Sequence, residues 1–278
     1  MRRTQHTIAE ECSYTGIGLH SGEDVTINCY PLPPHKGILF KRIDLKGEPE
    51  VKAEVDNIFS TQRCTTIGGE EVEINTIEHL LSVIKILEID NLLVEIDAEE
   101  PPVTDGSAKV FYELFQAAGI KEQDAFQEVY QVKEPLYIKE GDQYLTVLPD
   151  EHFKISYTFV GDHQAIGDQF FEYDGDEDDY LELIAPARTF GFAHEIEQLK
   201  EAGLALGGSL DNAVLVDDEG PINQLRFQDE FARHKVLDLI GDMMLAPPFK
   251  GHIIAVRSGH KLNSKLAKKL KKTLVGRN

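Results

Sequence analysis

The chain has 278 residues and three cysteines, Cys12, Cys29 and Cys64, an odd number without CxxC spacing that argues against a disulfide framework and a cysteine zinc site. That length buries a full core as one large domain or as two of ordinary size. Formal net charge is −21, from 28 basic and 49 acidic side chains, which repels polyanions and argues against nucleic acid as a general partner.

The N-terminus MRRTQHTIAEE has two arginines but no apolar stretch behind them. No run of about eighteen apolar residues follows, so a soluble cytoplasmic protein is expected. Residues 1–55 alternate apolar and polar positions around Gly and Pro punctuation, which predicts strands and hairpins. His20 lies in the Gly-rich turn GIGLHSG, where ordinary turn chemistry is its default role. A Gly-Gly hairpin signal follows between Thr66 and Glu70. Asn75 and Glu78 have the spacing of a capping box at a helix start. In the same first turn, Glu78 and His79 could instead supply a general base and a metal ligand. Asp105, Gly106 and Ser107 form a turn before a helix from 108 to about 118, closed by Gly119. The charged stretch IKEQDAFQEVY lacks core periodicity and predicts a linker near 120–127.

The second half restarts with strand patterns in VYQVKEPLYIKE, DQYLTVLPD and FKISYTFV, echoing the first half without a residue-level repeat. DGDEDD at 174–179 lacks the glycine and final glutamate of a calcium loop and reads as a solvated loop. Residues 187–216 read as loop, helix, Gly-rich connection and apolar strand, a compact βαβ-like insertion. The helix predicted at 227–245 gathers Val236, Leu237, Leu239, Ile240, Met243 and Met244 on one arc. His234, Asp238 and Asp242 follow at i, i+4 and i+8 on another. Side chains one turn apart can hold one cation, and the same stripe would serve equally as a solvent face. Beyond it, HIIAVRSGHKLN reads as a buried strand ending in the turn Ser258, Gly259, His260. Six lysines at 261–272, with Leu262, Leu266 and Leu270 on one side, predict a basic amphipathic helix. It would dock by its leucines or touch an anionic inner-membrane surface.

Taken in order, TGIGLHSG, NTIEHL, DGSA, ARTFGF, GGS, RHKVLDLIGD and RSGH resemble the UDP-3-O-acyl-N-acetylglucosamine deacetylases, zinc hydrolases of the committed step of lipid A biosynthesis. The match is colinear along nearly all 278 residues. The resemblance implies an α+β fold of two similarly laid-out domains, 1–122 and 123–278, each a small sheet packed with helices. The first would carry a hairpin insertion and the second the βαβ-like insertion at about 187–216, which holds the acyl chain. It also implies a monomer acting on a small-molecule UDP-sugar, with the active site between the domains.

In that family pattern one catalytic Zn2+ is held by His79, His234 and Asp238, with a fourth position open. Iron(II) or cobalt(II) would also suit the donor set. Zinc would activate a water, Glu78 would take its proton, and Thr189 with the metal would meet the oxyanion. His260 would protonate the leaving amine, kept cationic by Asp242. Lys235, Arg188 and Arg257 are the candidate cations for the diphosphate. Phe190 would lie against the hexosamine, next to Gly191. Phe192, Ile196, Ala205, Leu206 and Val214, with Gly207 and Gly208, would build the acyl passage, or equally an ordinary insertion core. Charge around Gln62, Arg63 and Cys64 leaves acyl-length preference open. Cys64 itself reads as a small buried residue or as an inhibitory ligand under excess zinc. Two other readings stand beside this one: a non-catalytic UDP-sugar or acyl-chain binding module, and the deacetylase half of a longer polypeptide.

Overall fold

The computed structural model describes residues 1–276. The alternating pattern of the N-terminal stretch closes into a sheet whose strands lie in the order Cys12–Ile17, Asp24–Pro31, Leu92–Ile96, Ile38–Arg42 and Glu50–Lys52. Asp24–Pro31 shows the cause plainly: Val25, Ile27 and Cys29 point inward while their neighbours stay partly exposed. Helix α1 (Glu78–Ile86) precedes the central strand and α2 (Lys109–Ala118) follows it. Gly119, at φ 73°, ends α2 as expected.

The second sheet repeats this layout. Its order is Leu136–Glu140, Gln143–Leu148, Phe249–Val256, Phe153–Phe159 and Gln169–Asp174. In both sheets the last strand in sequence sits in the middle, parallel to the third and antiparallel to the second. Before that strand come α3 (Tyr180–Leu183), α4 (Ala193–Glu201) and α5 (Glu230–Met244), and α6 (His260–Leu274) follows it. Phe190–Phe192 and Val214–Asp217 pair in parallel across α4, which is the expected βαβ insertion. A three-stranded hairpin unit, Ile58–Ser60, Thr66–Gly69 and Val72–Ile74, is the insertion of the first half.

Four local expectations are corrected. Residues 120–127 are not a linker but belong to the strand Ile120–Glu128, antiparallel to Arg2–Ile8, and the 122/123 boundary falls inside it. Six of the nine residues of Ile120–Glu128 are exposed and none is buried, so its sequence carries no core alternation. The capping box does not form: α1 has Ile77 at its N-cap, and Asn75 accepts a hydrogen bond from the Thr66 hydroxyl instead. The central helix begins at Glu230 rather than Phe227: residues 227–229 form a turn closed by the Glu230 N–H donating to the Phe227 carbonyl, and Asp229 at the N-cap has non-helical backbone angles. The acidic run at 174–179 is tied down rather than simply solvated: Asp174 meets His152, Asp176 meets Lys250, and Asp179 caps α3.

The basic C-terminal helix docks by Leu262, Leu266 and Leu270, all buried, while Lys261 and Lys265 pair with Glu140. Among the described residues no helix is long and apolar enough to cross a membrane.

One apolar core runs through both sheets, and α1 and α5 pack against each other inside it. Leu80, Leu81, Val83 and Ile84 bury α1 on every side, and on α5 the polar stripe is buried as well as the apolar arc. Asp238 is 3% exposed, so the solvent-face reading of that stripe fails. Gly241 sets the distance between the two helices, since a Cβ there would lie 2.0 Å from the Glu78 carbonyl oxygen. Gly241→Ala is therefore expected to lose about 1–3 kcal/mol through overpacking, despite the better helix propensity of alanine. Urea unfolding would show this as a lower midpoint at constant slope, and an unchanged midpoint would mean the helices are not in this contact.

Candidate active site

Each half contributes polar residues that only their docking brings together. From α1 comes His79, and from α5 come His234 and Asp238, with all three side chains buried. Asp238 Oδ1 lies 3.7 Å from His79 Nε2 and 3.4 Å from His234 Nε2. That oxygen has no hydrogen-bond partner among the described residues, although it is fully buried. An orphaned carboxylate oxygen is costly, and a cation between it and two imidazole nitrogens would satisfy it. The His234 Nδ1–H group donates to the Ala187 carbonyl at 3.2 Å, which turns its Nε2 lone pair toward the same point. Burial pushes both imidazoles down, His234 to about 3, so both are neutral near pH 7 as metal ligands must be. Burial opposes charge on Asp238 too, but His234 and Lys235 outweigh it and hold the carboxyl below its usual range. Two nitrogens and one carboxylate oxygen, with space beside them, fit a divalent metal with an open coordination position.

Glu78 and His260 face this point from either side, with Oε1 and Nε2 3.7 Å apart. Burial raises the Glu78 carboxyl to about 7, and the nearby Asp238 and Asp242 charges add to the effect while His260 opposes it. A carboxylate with that value is suited to exchanging protons near neutral pH. Burial alone would lower His260, but Asp242 and Glu78 overcome it and lift the imidazole to about 10. The His260 Nδ1–H group donates to Asp242 Oδ2 at 3.0 Å. Asp242 also accepts from the Thr65 hydroxyl and, at 2.8 Å, from the Asn263 side-chain amide. Thr65 donates its backbone N–H to Glu78 as well, at 3.2 Å.

Residues 5–272 match the sequence model of the UDP-3-O-acyl N-acetylglycosamine deacetylases. The chain belongs to this family. It is similar to a protein of Myxococcus xanthus strain DK1622 named UDP-3-O-acyl-N-acetylglucosamine deacetylase, with 42% identity over 269 residues, 96% of this chain and 86% of the relative. Relatives with the same name occur in Geobacter sp. strain M21, 41% identical over 271 residues (96% of this chain, 89% of the relative), and in Bdellovibrio bacteriovorus strain HD100, 41% identical over 269 residues (again 96% and 89%).

In this member of the deacetylase family, a cavity of about 490 Å3 opens from His79, His234 and Asp238 into the βαβ insertion. Of the residues expected there, Thr189, Phe190, Gly191, Phe192, Ile196 and Gly208 line it, as do Ala205 and Val214. Lys235 lines it too, with its ammonium 2.8 Å from Asp238 Oδ2 and over the Phe190 ring. Leu206 is half exposed and is not part of the wall. Two expected cations are not brought to the cavity. Arg188 turns away into its buried pair with Glu230, and Arg257 is held on the surface by Asp142 and Asp162. Cys64 is buried outside the wall, and burial followed by the Glu78 charge pushes its thiol up to about 11, which keeps it protonated.

Sequence reasoning missed several site residues. Asn263 had a legible signal, since it follows His260 by three positions on one helix. Thr65 had none, because it reaches Asp242 only through a contact 177 residues away in sequence. Leu19 and His20 also join the wall, and the His20 ring accepts the Ala205 N–H at 3.3 Å. Glu100 holds their loop by accepting from the His20 and Ser21 N–H groups at 2.8 Å. Gly207 lets the insertion close on that loop: a Cβ there would be 2.1 Å from the Gly18 carbonyl oxygen. Arg63, from the hairpin insertion, bridges the wall to Glu195 on α4 at 3.1 Å.

The raised His260 value has a definite sign. Its protonated form stabilises the fold fully below its ordinary 6.5, and that contribution is lost as pH rises toward about 10. NMR titration of the metal-free protein is expected to find His260 still protonated at pH 8, and to find it titrating much closer to 6.5 in Asp242→Asn. An equal value in both proteins would show that Asp242 does not hold the charge.

Proposed function

We propose that the chain hydrolyses the N-acetyl group of UDP-3-O-(3-hydroxyacyl)-N-acetylglucosamine, in the cytoplasm and within lipid A biosynthesis. Its supporting observation is the buried Asp238 oxygen, orphaned between two neutral imidazoles, with a proton-accepting Glu78 and a protonated His260 beside it. Zinc held by His79, His234 and Asp238 would supply Lewis-acid polarisation of the acetamide carbonyl and a more acidic water. Glu78 removes the proton as the water oxygen bonds to the carbonyl carbon. The Thr189 hydroxyl donates to the oxygen that gains charge, a contact typically worth about 2.7–4 kcal/mol in such sites. When the C–N bond breaks, His260 gives its proton to the departing glucosamine nitrogen, and Asp242 keeps the imidazole turned toward it. Burial of the whole cluster strengthens each of these contacts by excluding water.

The same geometry sorts the substrate's parts. The acyl chain runs along Phe192, Ile196, Ala205, Gly208 and Val214, and Phe190 offers a flat face to the sugar. Lys235 is the cation best placed for an anionic part of the substrate, because Arg188 is already paired and buried. The Arg63–Glu195 bridge puts one ion pair beside the acyl chain, the charge that the hairpin sequence foreshadows.

Purified protein is expected to hold about one zinc per chain by elemental analysis, lost in His79→Ala and Asp238→Ala that stay folded by circular dichroism. Glu78→Ala should keep the metal yet lose roughly 10²–10⁴-fold in kcat. Near-normal turnover in that variant would defeat the base assignment, and a folded parent that takes up no metal would defeat the whole reading.

A further inference from the structure

The C-terminal ends of α1 and α5 open into a second cavity, of about 330 Å3, which shares no wall residue with the first. Lys85 enters it from α1, seven residues and about 10 Å along the helix from Glu78. Phe153 and Phe249, from strands of the second sheet, form the facing wall, with the Lys85 ammonium 4.5 and 5.6 Å from their ring centres. Ile38, Val55 and Ile84 add apolar surface from the first half.

Charge around this cavity is almost completely paired. Arg3 is held by Glu88 and Asp90, Lys250 by Asp176, Lys271 by Asp56, and Lys52 lies 3.9 Å from Glu54. These pairings engage Glu54, Glu88, Asp90 and Asp176, the four acids of the wall. Lys85 alone among the lining cations has neither an ion pair nor a hydrogen bond among the described residues, in a chain of net charge −21. Lys85 is half-buried, and aromatic faces offset only part of the cost of the hydration its ammonium has lost. Burial, with the nearby Arg3 charge, pushes the Lys85 amine down to about 8.

We propose that this cavity is a binding site for a small carboxylate with an apolar body, its anionic end on Lys85 Nζ and its body against the wall that Phe153 and Phe249 form with Ile38, Val55 and Ile84. One free monovalent cation matches a monoanion, whereas a phosphate would need further donors, and the other cations are engaged. The volume is at the lower end of small-molecule sites, so a single small ligand fills it. A bound carboxylate favours the ammonium form, so binding weakens as pH rises past about 8.

The test uses the metal-loaded protein, hexanoate as the probe and inorganic phosphate as the comparison. Acetic anhydride acylation of each lysine, followed by peptide mass spectrometry, reports the Lys85 amine directly. Hexanoate is expected to slow acylation of Lys85 several-fold but not that of the outlying Lys109, and phosphate should slow neither. Calorimetric affinity for hexanoate should fall about tenfold or more in Lys85→Met, the loss of one charged contact. An unchanged Lys85 rate with hexanoate overturns the site, as does undiminished affinity in Lys85→Met, which would place the hexanoate in the acyl passage. Equal protection by phosphate overturns the ligand class. The labelling of the parent decides the question even if Lys85→Met does not fold.

Discussion

The contact of α1 with α5 at Gly241, where the Glu78 backbone rests on the bare face of another helix, fixes the distances among the catalytic groups. Neither half contains a site of its own. Glu78 and His79 ride on α1, and His234, Asp238 and Asp242 ride on α5, so a shift between the helices changes every separation at once. Because both helices are internal, these groups are buried except where the cavity opens beside them. The low effective dielectric there strengthens each pairing and penalises each group left unpaired. Three carboxylates, Glu78, Asp238 and Asp242, meet two cations, Lys235 and His260. Burial raises Glu78 most and the surplus negative charge adds to it, which is why a base near neutrality appears in so acidic a cluster.

Thr65 gives this cluster its rigidity. Its backbone N–H holds Glu78 and its hydroxyl holds Asp242, so one residue of the hairpin ties Glu78 to the carboxylate that orients His260. Asn263 fixes the other Asp242 oxygen from α6. The hairpin, α5 and α6 thus converge on a single carboxylate, and the His260 ring is positioned by residues from three separate stretches of chain. A side-chain network of this kind is worth more than its pairs taken singly.

Much of this was readable in the sequence, and the limits have physical causes. The stripe His234, Asp238, Asp242 follows from helical period alone, and the order of motifs supplied its partners on α1. Period identifies a helix face but not what covers it, so burial of that stripe was open until α1 was seen lying on α5. Arg188 stands next to Thr189 in sequence, yet adjacent residues in extended chain point to opposite sides, and it ends in a pair with Glu230 rather than in the cavity. The strand Ile120–Glu128 was hidden because an exposed ribbon needs no alternation. The similar layout of the two sheets is expected from the sequence, yet no residue-level repeat marks it, for a related reason. A strand order can be repeated by any residues that keep the apolar pattern, so topology persists where identity does not.

The groups without partners show how charge, rather than burial alone, selects a ligand. Tyr173 Oη, Ser258 Oγ and Asn263 Oδ1 are buried and unpaired, but each is neutral, and such a group costs about 1–3 kcal/mol, which a well-packed fold absorbs. Asp238 Oδ1 at the active-site end of α1 and Lys85 Nζ at the other end are different: the carboxylate meets Lys235 only through its other oxygen, and the half-buried ammonium has no anion in contact among the described residues, so each charge keeps a demand that neighbouring dipoles do not meet. The carboxylate faces imidazole lone pairs, which repel an anion and accept a metal. The ammonium faces aromatic rings and apolar side chains, which leave room for an anion and offer none of the donors that a phosphate requires. The two ends of one helix therefore suit ligands of opposite sign, a cation at Asp238 Oδ1 and an anion at Lys85 Nζ.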